Sequence, residues 1–455
     1  MQNTPNTDTK KPIILKEHQI YSGEDREELL NDILQSDIKL VGMPDEFMDA
    51  PTNLGISDKL KANYYIGATW IIENKWPAIV LPKIENLDFI GMLIQALSID
   101  TAAEVTYFSK CYGIEFDKPT ITTNMAQDLL TPILLLHYIT LLEKVVKNGL
   151  KKDYITISEN LKCKVKGHIV ISQQIKKNII TSRKERNYCN YMIYTEDIPV
   201  NRLLKRALYF ANAMLRNLNY ACAANIQYRI NKLMRAFEIV SDDLNVSQVK
   251  NFSHNKLFKQ YSEAVRVAKD ILKRYEYSIN AVTENQQRTP PFWIDMPRLF
   301  ELFVYSTLNK WYPNQIDFQV EGSCGSKVDY IHRGEKIIID AKYKPKYDYS
   351  NSGILPDIRE ISGYARDISI LGHFGKDYVN SNKEIKCLII FPKGVFDDIE
   401  KANISSGLKE EYEELKAEES TPFKNQSSLW NQGHDISRFR NFRKLSIAIP
   451  TKTNG

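Results

Sequence analysis

The residues most capable of chemistry lie in one short stretch of the C-terminal part, where charged side chains alternate with apolar ones. This stretch, KVDYIHRGEKIIIDAKYK, carries Asp329 before a Gly-Glu pair and both Asp340 and Lys342 after it. Its two β-rich runs predict a hairpin, and Gly334-Glu335 predicts a two-residue type II′ turn between them. In that register Asp329 lies directly opposite Asp340, with both carboxylates on one face of the hairpin.

Lys342 belongs to the same face, because side chains alternate along a strand. Directly opposed carboxylates destabilise a strand pair unless a cation lies between them. A hard divalent cation binds through one or two carboxylates and keeps water and phosphate oxygens as further ligands. The pattern therefore predicts a site for Mg²⁺, or Mn²⁺ in its place, held by Asp329, Asp340 and the Ala341 carbonyl. Lys342 would assist hydrolysis of a phosphodiester there.

Two alternatives compete with this interpretation. In the first, the hairpin is an ordinary one with a solvated charged face, although the IIID run favours a buried strand that ends in a cleft at Asp340. In the second, a turn at Arg333-Gly334 shifts the register and separates the carboxylates, although Arg suits a positive φ poorly. Upstream, Glu301 flanks an apolar helical stripe, so it either leans into the site or meets solvent.

The segments around the hairpin predict a sheet with helices packed on it. Helical and strand patterns alternate after a polar stretch with a Pro pair at 283–291, which marks a domain boundary. The predicted elements are a helix at 296–311, the hairpin at 327–343, a helix at 357–371, a strand at 386–391, an acidic insertion at 407–420 and a strand at 445–449.

The whole chain is predicted to be a multidomain α+β protein. Its 455 residues exceed the usual size of one domain, and 43% hydrophobic residues are typical of folded domains. We expect a disordered tail at 1–18, a β-rich region at 19–124 with a hairpin at 64–84, a mainly helical region at 125–285 with a β insertion near 161–175, and an α/β domain at 286–455.

Charge, cysteines and hydropathy bound the classes of function. A net charge of +5 permits a nucleic-acid partner without requiring one. Six cysteines without C-x-x-C spacing are expected to be reduced thiols. The N-terminus lacks the apolar core of a signal peptide, and the most apolar run, 129–142, is too short for a membrane span. We therefore expect a cytoplasmic protein with no membrane contact.

A patch near the C-terminus combines basic and aromatic residues. It consists of Arg438, Arg440, Arg443 and Lys444, interleaved with two phenylalanines. Basic side chains contact phosphates, and aromatic rings accompany them in many nucleic-acid interfaces. We expect this basic patch to hold a DNA backbone.

Several segments together resemble the PD-(D/E)XK nuclease superfamily and, within it, the McrC family of nuclease subunits from modification-dependent restriction systems. The segment MPRLFELFV resembles the McrC helix with its acidic residue at Glu301. VDYI and IIDAKYK correspond to the nuclease motif at Asp329, Asp340 and Lys342, and DIREISGYA resembles the downstream helix that ends in Tyr364. The resemblance covers roughly residues 60–392 and extends over segments that occur in the same order.

The resemblance implies a restriction-endonuclease-like fold at 286–455 and further site residues. Glu301 is implied as a fourth catalytic residue, with Glu360 and Tyr364 in support. Val328 stands where the superfamily often has Pro, and Glu360 stands where Gln is expected. An additional carboxylate at Glu360 would alter the charge that a metal ion meets.

The activity implied by the resemblance is Mg²⁺-dependent cleavage of double-stranded, modified DNA. It also implies a partner, a McrB-like hexameric AAA+ GTPase, on which the N-terminal region docks and which the chain stimulates. No P-loop pattern G-x-x-x-x-G-K-[ST] occurs in the chain, which fits a motor on a separate polypeptide. The rival function, from another class, is a nuclease-like scaffold that activates the motor without cutting DNA.

Overall fold

The chain divides into two compact units. A computed structural model describes residues 9–36, 38, 40, 52–84, 87–96, 107–108, 110–115, 118–124, 130–217, 223–243, 259–280, 286–344, 354–380, 383–393, 428–436 and 438–451. Unit 1 combines Met1–Ile133 with Glu284–Gly455, and unit 2 is Leu134–Thr283. The acidic insertion expected at 407–420 lies outside the described residues.

The described strands and helices are numbered separately along the chain. The strands are β1 Ile13–Lys16, β2 Tyr65–Ile72, β3 Trp76–Leu81, β4 Tyr112–Ile114, β5 Ile121–Asn124, β6 Asp153–Lys162, β7 His168–Ile169, β8 Arg186–Thr195, β9 Gln286–Thr289, β10 Phe292–Asp295, β11 Ile316–Glu321, β12 Lys327–His332, β13 Ile337–Ala341, β14 Lys386–Lys393, β15 His434–Asp435 and β16 Phe442–Ala448. The helices are α1 Arg26–Gln35, α2 Phe89–Ala96, α3 Leu130–Lys147, α4 Ile171–Gln174, α5 Pro199–Asn217, α6 Ala223–Ala236, α7 Lys259–Asn280, α8 Met296–Trp311, α9 Leu355–Tyr364, α10 Ile368–Gly372, α11 Lys376–Val379 and α12 Leu429–Gln432.

The first sheet of unit 1 has the order β1-β3-β2-β10-β4. β2 and β3 form the hairpin that the sequence predicts at 64–84. Asn74 in its bend takes a φ of 61°, a left-handed conformation that Asn adopts more readily than most residues. Both strands are almost fully buried, which explains why they appear in the sequence as continuous apolar runs.

The expected disordered tail at 1–18 is wrong for its last residues. Ile13 and Leu15 are buried, and β1 pairs in parallel with β3. Glu17 directly after β1 is also buried and accepts a hydrogen bond from the Lys83 N–H at 2.9 Å. β1 has only four residues and follows a polar stretch, so it is too short to give a clear hydrophobic periodicity in the sequence.

The sequence predicts that the regions 19–124 and 286–455 are separate domains, but the structure joins them. β10 follows the predicted boundary, yet it pairs antiparallel with both β2 and β4. All four of its residues are buried, so this short apolar strand needs a partner on each side. The two regions therefore share one sheet within unit 1. The residue range of unit 2, Leu134–Thr283, nearly matches the middle region expected at 125–285.

The second sheet of unit 1 has the order β11-β12-β13-β14-β16-β15 and carries the predicted hairpin. β13 lies between antiparallel β12 and parallel β14, and all its residues are buried. One face of this sheet, which includes Ile338 and Ile389, packs against Ile358, Ile361 and Ile370 of α9 and α10. This mixed α/β arrangement agrees with the fold predicted for the C-terminal segment.

Helix α8 begins where the sequence predicts it, at Met296. Its preceding residue, Asp295, accepts a hydrogen bond from the Arg298 N–H at 3.1 Å and so caps the helix. Pro297 fits the first turn, where a backbone N–H is not needed. The apolar stripe of α8 is buried, and the helix contacts α2, β11 and β13.

Unit 2 contains α3, α5, α6 and α7 with a small sheet of order β6-β8-β7. The four long helices agree with the mainly helical region expected at 125–285. The strand-like stretch expected at 161–175 is only partly a strand, because β7 has two residues and α4 follows it. Gln174 explains this change, since its side chain bonds to the β8 backbone at Arg186 and Tyr188 and so anchors a helical turn there. No helix in the described ranges is both long and apolar enough to cross a bilayer.

Candidate active site

The register of the β12-β13 hairpin confirms the central geometric prediction. Tyr330 pairs with Ile339 and Ile331 with Ile338, and the same register places Asp329 opposite Asp340. The predicted type II′ turn is wrong, because the loop has four residues, Arg333 to Lys336, and the left-handed residue is Lys336 with a φ of 58°. A four-residue loop preserves the register because it also pairs His332 with Ile337.

The loop is held by contacts that a short-range pattern does not reveal. The Arg333 N–H donates to the Gln315 carbonyl at 2.9 Å, and the Glu335 N–H donates to His332 Nδ1 at 3.1 Å. The Glu335 carboxylate then accepts hydrogen bonds from the start of α12, including the Leu429 N–H at 2.7 Å. These bonds fix the loop against two other elements.

Asp340 ends the buried strand, as the IIID run predicts, and is only 3% exposed. Its carboxylate forms an ion pair with Lys342 Nζ at 2.8 Å, and Lys342 Nζ also lies 2.9 Å from Glu360 Oε2. Burial lowers the pKa of Lys342, but Asp340 and Glu360 raise it more, so the pKa lies above its usual value. Asp340 and Glu360 therefore favour the ammonium form of Lys342 in this arrangement.

Asp329 is held by the strand that carries Asp340. Its Oδ2 accepts the Ala341 N–H at 2.8 Å, and its Oδ1 lies 3.4 Å from the Gln319 amide nitrogen. Burial raises the pKa of Asp329 well above its ordinary value, and the negative charge of Glu301 raises it further. Burial also raises the pKa of Asp340, with Asp329 as the next cause.

Glu301 leans into the site rather than into solvent, which decides the question that the sequence left open. Its Oε2 accepts hydrogen bonds from the Tyr107 hydroxyl and from the Gln319 amide, the latter at 3.1 Å. Burial raises the pKa of Glu301 to about 7, although the Tyr107 hydrogen bond lowers it. Asp295 and Asp340 also raise the pKa of Glu301. Since Glu301 raises the pKa of Asp329, and Asp329 that of Asp340, the three carboxylates of the site interact electrostatically.

The two supporting residues implied by the resemblance are joined to the site through Lys342. Glu360 lies on α9 and is more exposed than the other carboxylates. The Tyr364 hydroxyl, one helical turn later, donates to Glu360 Oε1 at 3.1 Å. Glu360 thus holds the Lys342 ammonium together with Asp340.

The donor set fits a hard divalent cation held by few protein ligands. Carboxylates whose pKa values are raised by burial and by one another carry a charge that a cation would stabilise. Within the described residues, however, no group of three or more His, Cys, Asp or Glu side chains is close enough to form a metal cluster. The metal-binding roles of Asp329, Asp340 and the Ala341 carbonyl therefore stay predictions.

The residues of the basic patch predicted to hold DNA do not lie on one face of the second sheet. Lys444 pairs with Ile389, which pairs with Asp340, so Lys444 lies level with Asp340 and on the same face, roughly 10 Å away across two strands. Arg443 faces the other side, where it forms an ion pair with Asp435 at 2.7 Å and lies over the Trp430 ring.

The other two arginines of the basic patch lie before β16. Arg440 forms an ion pair with Glu384 at 3.1 Å, beside the start of β14. Arg438 takes a φ of 84° in the loop before β16. Because Asp340 lies level with Ile389 in the middle of β14, both arginines lie towards the opposite end of the sheet. DNA binding by the basic patch stays a prediction, and Lys444 is its best-placed member.

Sequence patterns did not identify Tyr107 and Gln319 as site residues. Tyr107 is separated from Glu301 by 194 positions, so no local spacing connects them. Gln319 is the residue of β11 that faces Asp329 once β11 and β12 are paired. The pairing of β11 with β12 is the signal that identifies Gln319.

The class of protein is defined by the fold of unit 1 together with a cluster of acids beside a lysine. Asp329 and Asp340 lie at one end of a mixed sheet, and Glu301 of helix α8 and the charged Lys342 lie beside them. The sequence matches the family model described as McrBC 5-methylcytosine restriction system component over residues 60–355, and the chain belongs to this family. The matched residues include Glu301, Asp329, Asp340 and Lys342 but end before Glu360. The family expected from the sequence is thus confirmed.

Two solved structures are similar to the chain at low identity. One is a refined half-complex from a tetradecameric assembly of Thermococcus gammatolerans McrB AAA+ hexamers with bound McrC, at 17% identity and a TM-score of 0.36, covering 96% of this chain and 94% of that one. The other is the cryo-EM structure of the Thermococcus gammatolerans McrBC complex, at 17% identity and a TM-score of 0.29, covering 67% of this chain and 89% of that one. No curated protein matches the chain.

Proposed function

We propose that the chain is a Mg²⁺-dependent endonuclease subunit of an McrBC-like restriction system and that it hydrolyses phosphodiester bonds of double-stranded DNA. The observation that carries this proposal is the convergence of Glu301, Asp329 and Asp340 beside Lys342 at the end of a buried strand. Asp340 is buried and Glu301 and Asp329 are partly buried, and an ordinary structural ion pair does not require three such acids beside one lysine. We assign the second sheet with its helices to the PD-(D/E)XK class on the same grounds.

Each residue of the site has a distinct part in this proposal. Asp329 and Asp340 would hold the metal ion, with the Ala341 carbonyl as a further ligand. The metal would supply Lewis-acid activation of the phosphate and of a water molecule. Lys342 keeps its charge and would stabilise the negative charge that develops on the phosphate.

Glu301 and the α9 residues complete the proposed mechanism. Glu301 would accept a hydrogen bond from the attacking water, since both of its described hydrogen bonds use Oε2. Glu360 and Tyr364 would keep the Lys342 ammonium in place. The supporting glutamate replaces a neutral Gln of the superfamily, so it adds one negative charge next to the lysine.

The partner in this proposal is a McrB-like AAA+ GTPase hexamer. Membership of the McrBC restriction-system family supports it. The N-terminal region would dock on the hexamer and stimulate its GTPase. The substrate would be modified DNA, in keeping with the 5-methylcytosine restriction system of the family description. The basic patch would contact its backbone, with Lys444 nearest to the site.

The test of the proposed function is the Asp340→Ala variant in the presence of the partner motor. Loss of one metal-binding carboxylate should reduce DNA cleavage by about 100-fold or more, while binding to the motor stays unchanged. Asp377→Ala, which removes a carboxylate 86% exposed in its side chain from the same unit, is the matched control. Cleavage at the wild-type rate by Asp340→Ala would refute the enzyme assignment and favour the scaffold function.

A further inference from the structure

Gln319 occupies an unusual backbone position at the proposed site. β11 and β12 keep the same register before and after Gln319, but Gln319 itself is unpaired and faces Asp329. Its φ of 52° lies in the left-handed region, which is disfavoured for residues with a β-carbon. Such a conformation persists where the surrounding structure holds it in place, and it concentrates at functional sites. The pairing of β11 with β12 is therefore interrupted at the one residue of β11 that faces Asp329.

The side chain of Gln319 connects two of the three carboxylates. Its amide nitrogen lies 3.1 Å from Glu301 Oε2 and 3.4 Å from Asp329 Oδ1. An amide nitrogen has two hydrogens, so one group can donate to both acceptors. A lysine in this place would neutralise the acids, whereas a neutral amide leaves their charge for a cation. Gln319 thus fixes the spacing of the carboxylates without cancelling their charge.

Packing around Tyr107 supports the same arrangement. The Tyr107 hydroxyl donates to the Glu301 oxygen that also accepts from Gln319. The Tyr107 ring meets Phe318, the residue before Gln319, edge to face at 5.0 Å. Among the described residues, no donor contacts Glu301 Oε1. The two donors therefore occupy Oε2 of Glu301 and leave Oε1 available as an acceptor in the site.

We propose that Gln319 is a positioning residue that holds Glu301, the proposed acceptor for the attacking water, at a fixed distance from Asp329, the proposed cation ligand. The left-handed backbone aims its amide at both carboxylates. This inference rests on the proposed nuclease function. It adds a residue that contacts neither the phosphate nor the reacting water, and that acts through the two acids.

The experiment compares Gln319→Gly with wild type in the full-length chain. Glycine adopts a φ of 52° freely, so this change removes the amide without straining the backbone. Binding of Mn²⁺ without DNA is measured by calorimetry, and cleavage with the partner motor is measured against Mg²⁺ concentration. Asn314→Gly is the matched control, because exposed Asn314 has a φ of 60° in the loop before β11.

We expect Gln319→Gly to weaken Mn²⁺ binding about tenfold and to raise the Mg²⁺ concentration for half-maximal cleavage by a similar factor. The cleavage rate at saturating Mg²⁺ should change less, and the melting temperature should stay the same or rise. Asn314→Gly should leave metal binding unchanged. Wild-type Mn²⁺ affinity in Gln319→Gly, or an equal loss in Asn314→Gly, would overturn the positioning role.

The same measurements separate this inference from the proposed function. If the wild-type chain neither binds Mn²⁺ nor cuts DNA, both the proposed nuclease function and the positioning role of Gln319 are contradicted. A wild-type chain that binds Mn²⁺ and cuts DNA, beside a Gln319→Gly variant of equal affinity, contradicts the role of Gln319 alone.

Discussion

At the scale of single residues, Lys342 balances the charge of the site. Its ammonium lies between Asp340 and Glu360, at 2.8 and 2.9 Å. Because Asp340 is buried beside Asp329, an unpaired Asp340 charge would be costly. Lys342 therefore stabilises the site in the absence of metal, and we propose that it acts on the phosphate once a metal is bound.

Replacement of Lys342 by Met should separate these two effects. Without the ammonium, DNA cleavage should fall by about 100-fold or more, and the melting temperature of the metal-free chain should fall. Added Mn²⁺ should raise that melting temperature more than in wild type, because the cation takes over the lost charge. The measurement is thermal unfolding with and without Mn²⁺.

The control for this prediction is Lys344→Met in the same segment. Lys344 forms an ion pair with Asp357 at 2.9 Å, away from Asp340. Its loss should lower the melting temperature without enlarging the Mn²⁺ effect. An equal Mn²⁺ effect in both variants would contradict a specific role of Lys342 in the charge balance.

At the scale of elements, β1 is joined to the segment that carries Lys342. Glu17, directly after β1, accepts a hydrogen bond from the Lys83 N–H at 2.9 Å and lies 3.3 Å from the Tyr343 hydroxyl. Lys83 Nζ in turn contacts the Tyr343 carbonyl at 2.8 Å. Burial raises the pKa of Glu17 to about 7, although Lys83 lowers it. The first sheet thus holds the residue next to the proposed catalytic lysine.

The raised pKa of Glu17 predicts a pH-dependent stability. The folded chain holds this proton up to about pH 7, whereas the ordinary pKa is 4.5. Stability from Glu17 is therefore complete below pH 4.5 and is lost as the pH rises through 7. Glu17→Gln should be more stable than wild type at alkaline pH, by on the order of 2 kcal/mol, and the difference should vanish in acid.

Chemical denaturation of the two chains across the pH range measures this difference. Exposed Glu27→Gln on α1 controls for the loss of one negative charge. A constant difference between wild type and Glu17→Gln at every pH would show that Glu17 does not take up a proton on folding.

At the scale of the whole molecule, unit 1 is built from both ends of the chain. β10 from the C-terminal segment lies between β2 and β4 of the N-terminal segment. Without β10, both of these strands would expose an unpaired edge, which favours aggregation. The N-terminal region is therefore not an independent folding unit, even though we propose that it docks on the partner.

Separate expression of Met1–Ile133 tests this conclusion. We expect the fragment to aggregate or to lack a cooperative unfolding transition, because its sheet loses β10. Co-expression with Glu284–Gly455 should restore a soluble complex. A fragment that unfolds cooperatively by itself would show that β10 is dispensable, and circular dichroism with size-exclusion chromatography distinguishes these results.

The sequence by itself determined the features that depend on short spacing. Alternation in the hairpin placed Asp329 opposite Asp340 with Lys342 beside them, and helical periodicity gave the bounds of α8. The family was also recognisable from segments in order. Such features follow from the two-residue and 3.6-residue repeats of strands and helices, which any short stretch displays.

Only the tertiary structure decided which distant residues complete the site. It turned Glu301 inwards, brought Tyr107 and Gln319 to it, and joined the two ends of the chain in one unit. Sequence patterns missed β1 because four residues carry too little periodicity, and they missed the four-residue loop because contacts from Gln315 and α12 fix it. Burial and strand pairing between remote segments depend on the whole fold, so no local pattern encodes them.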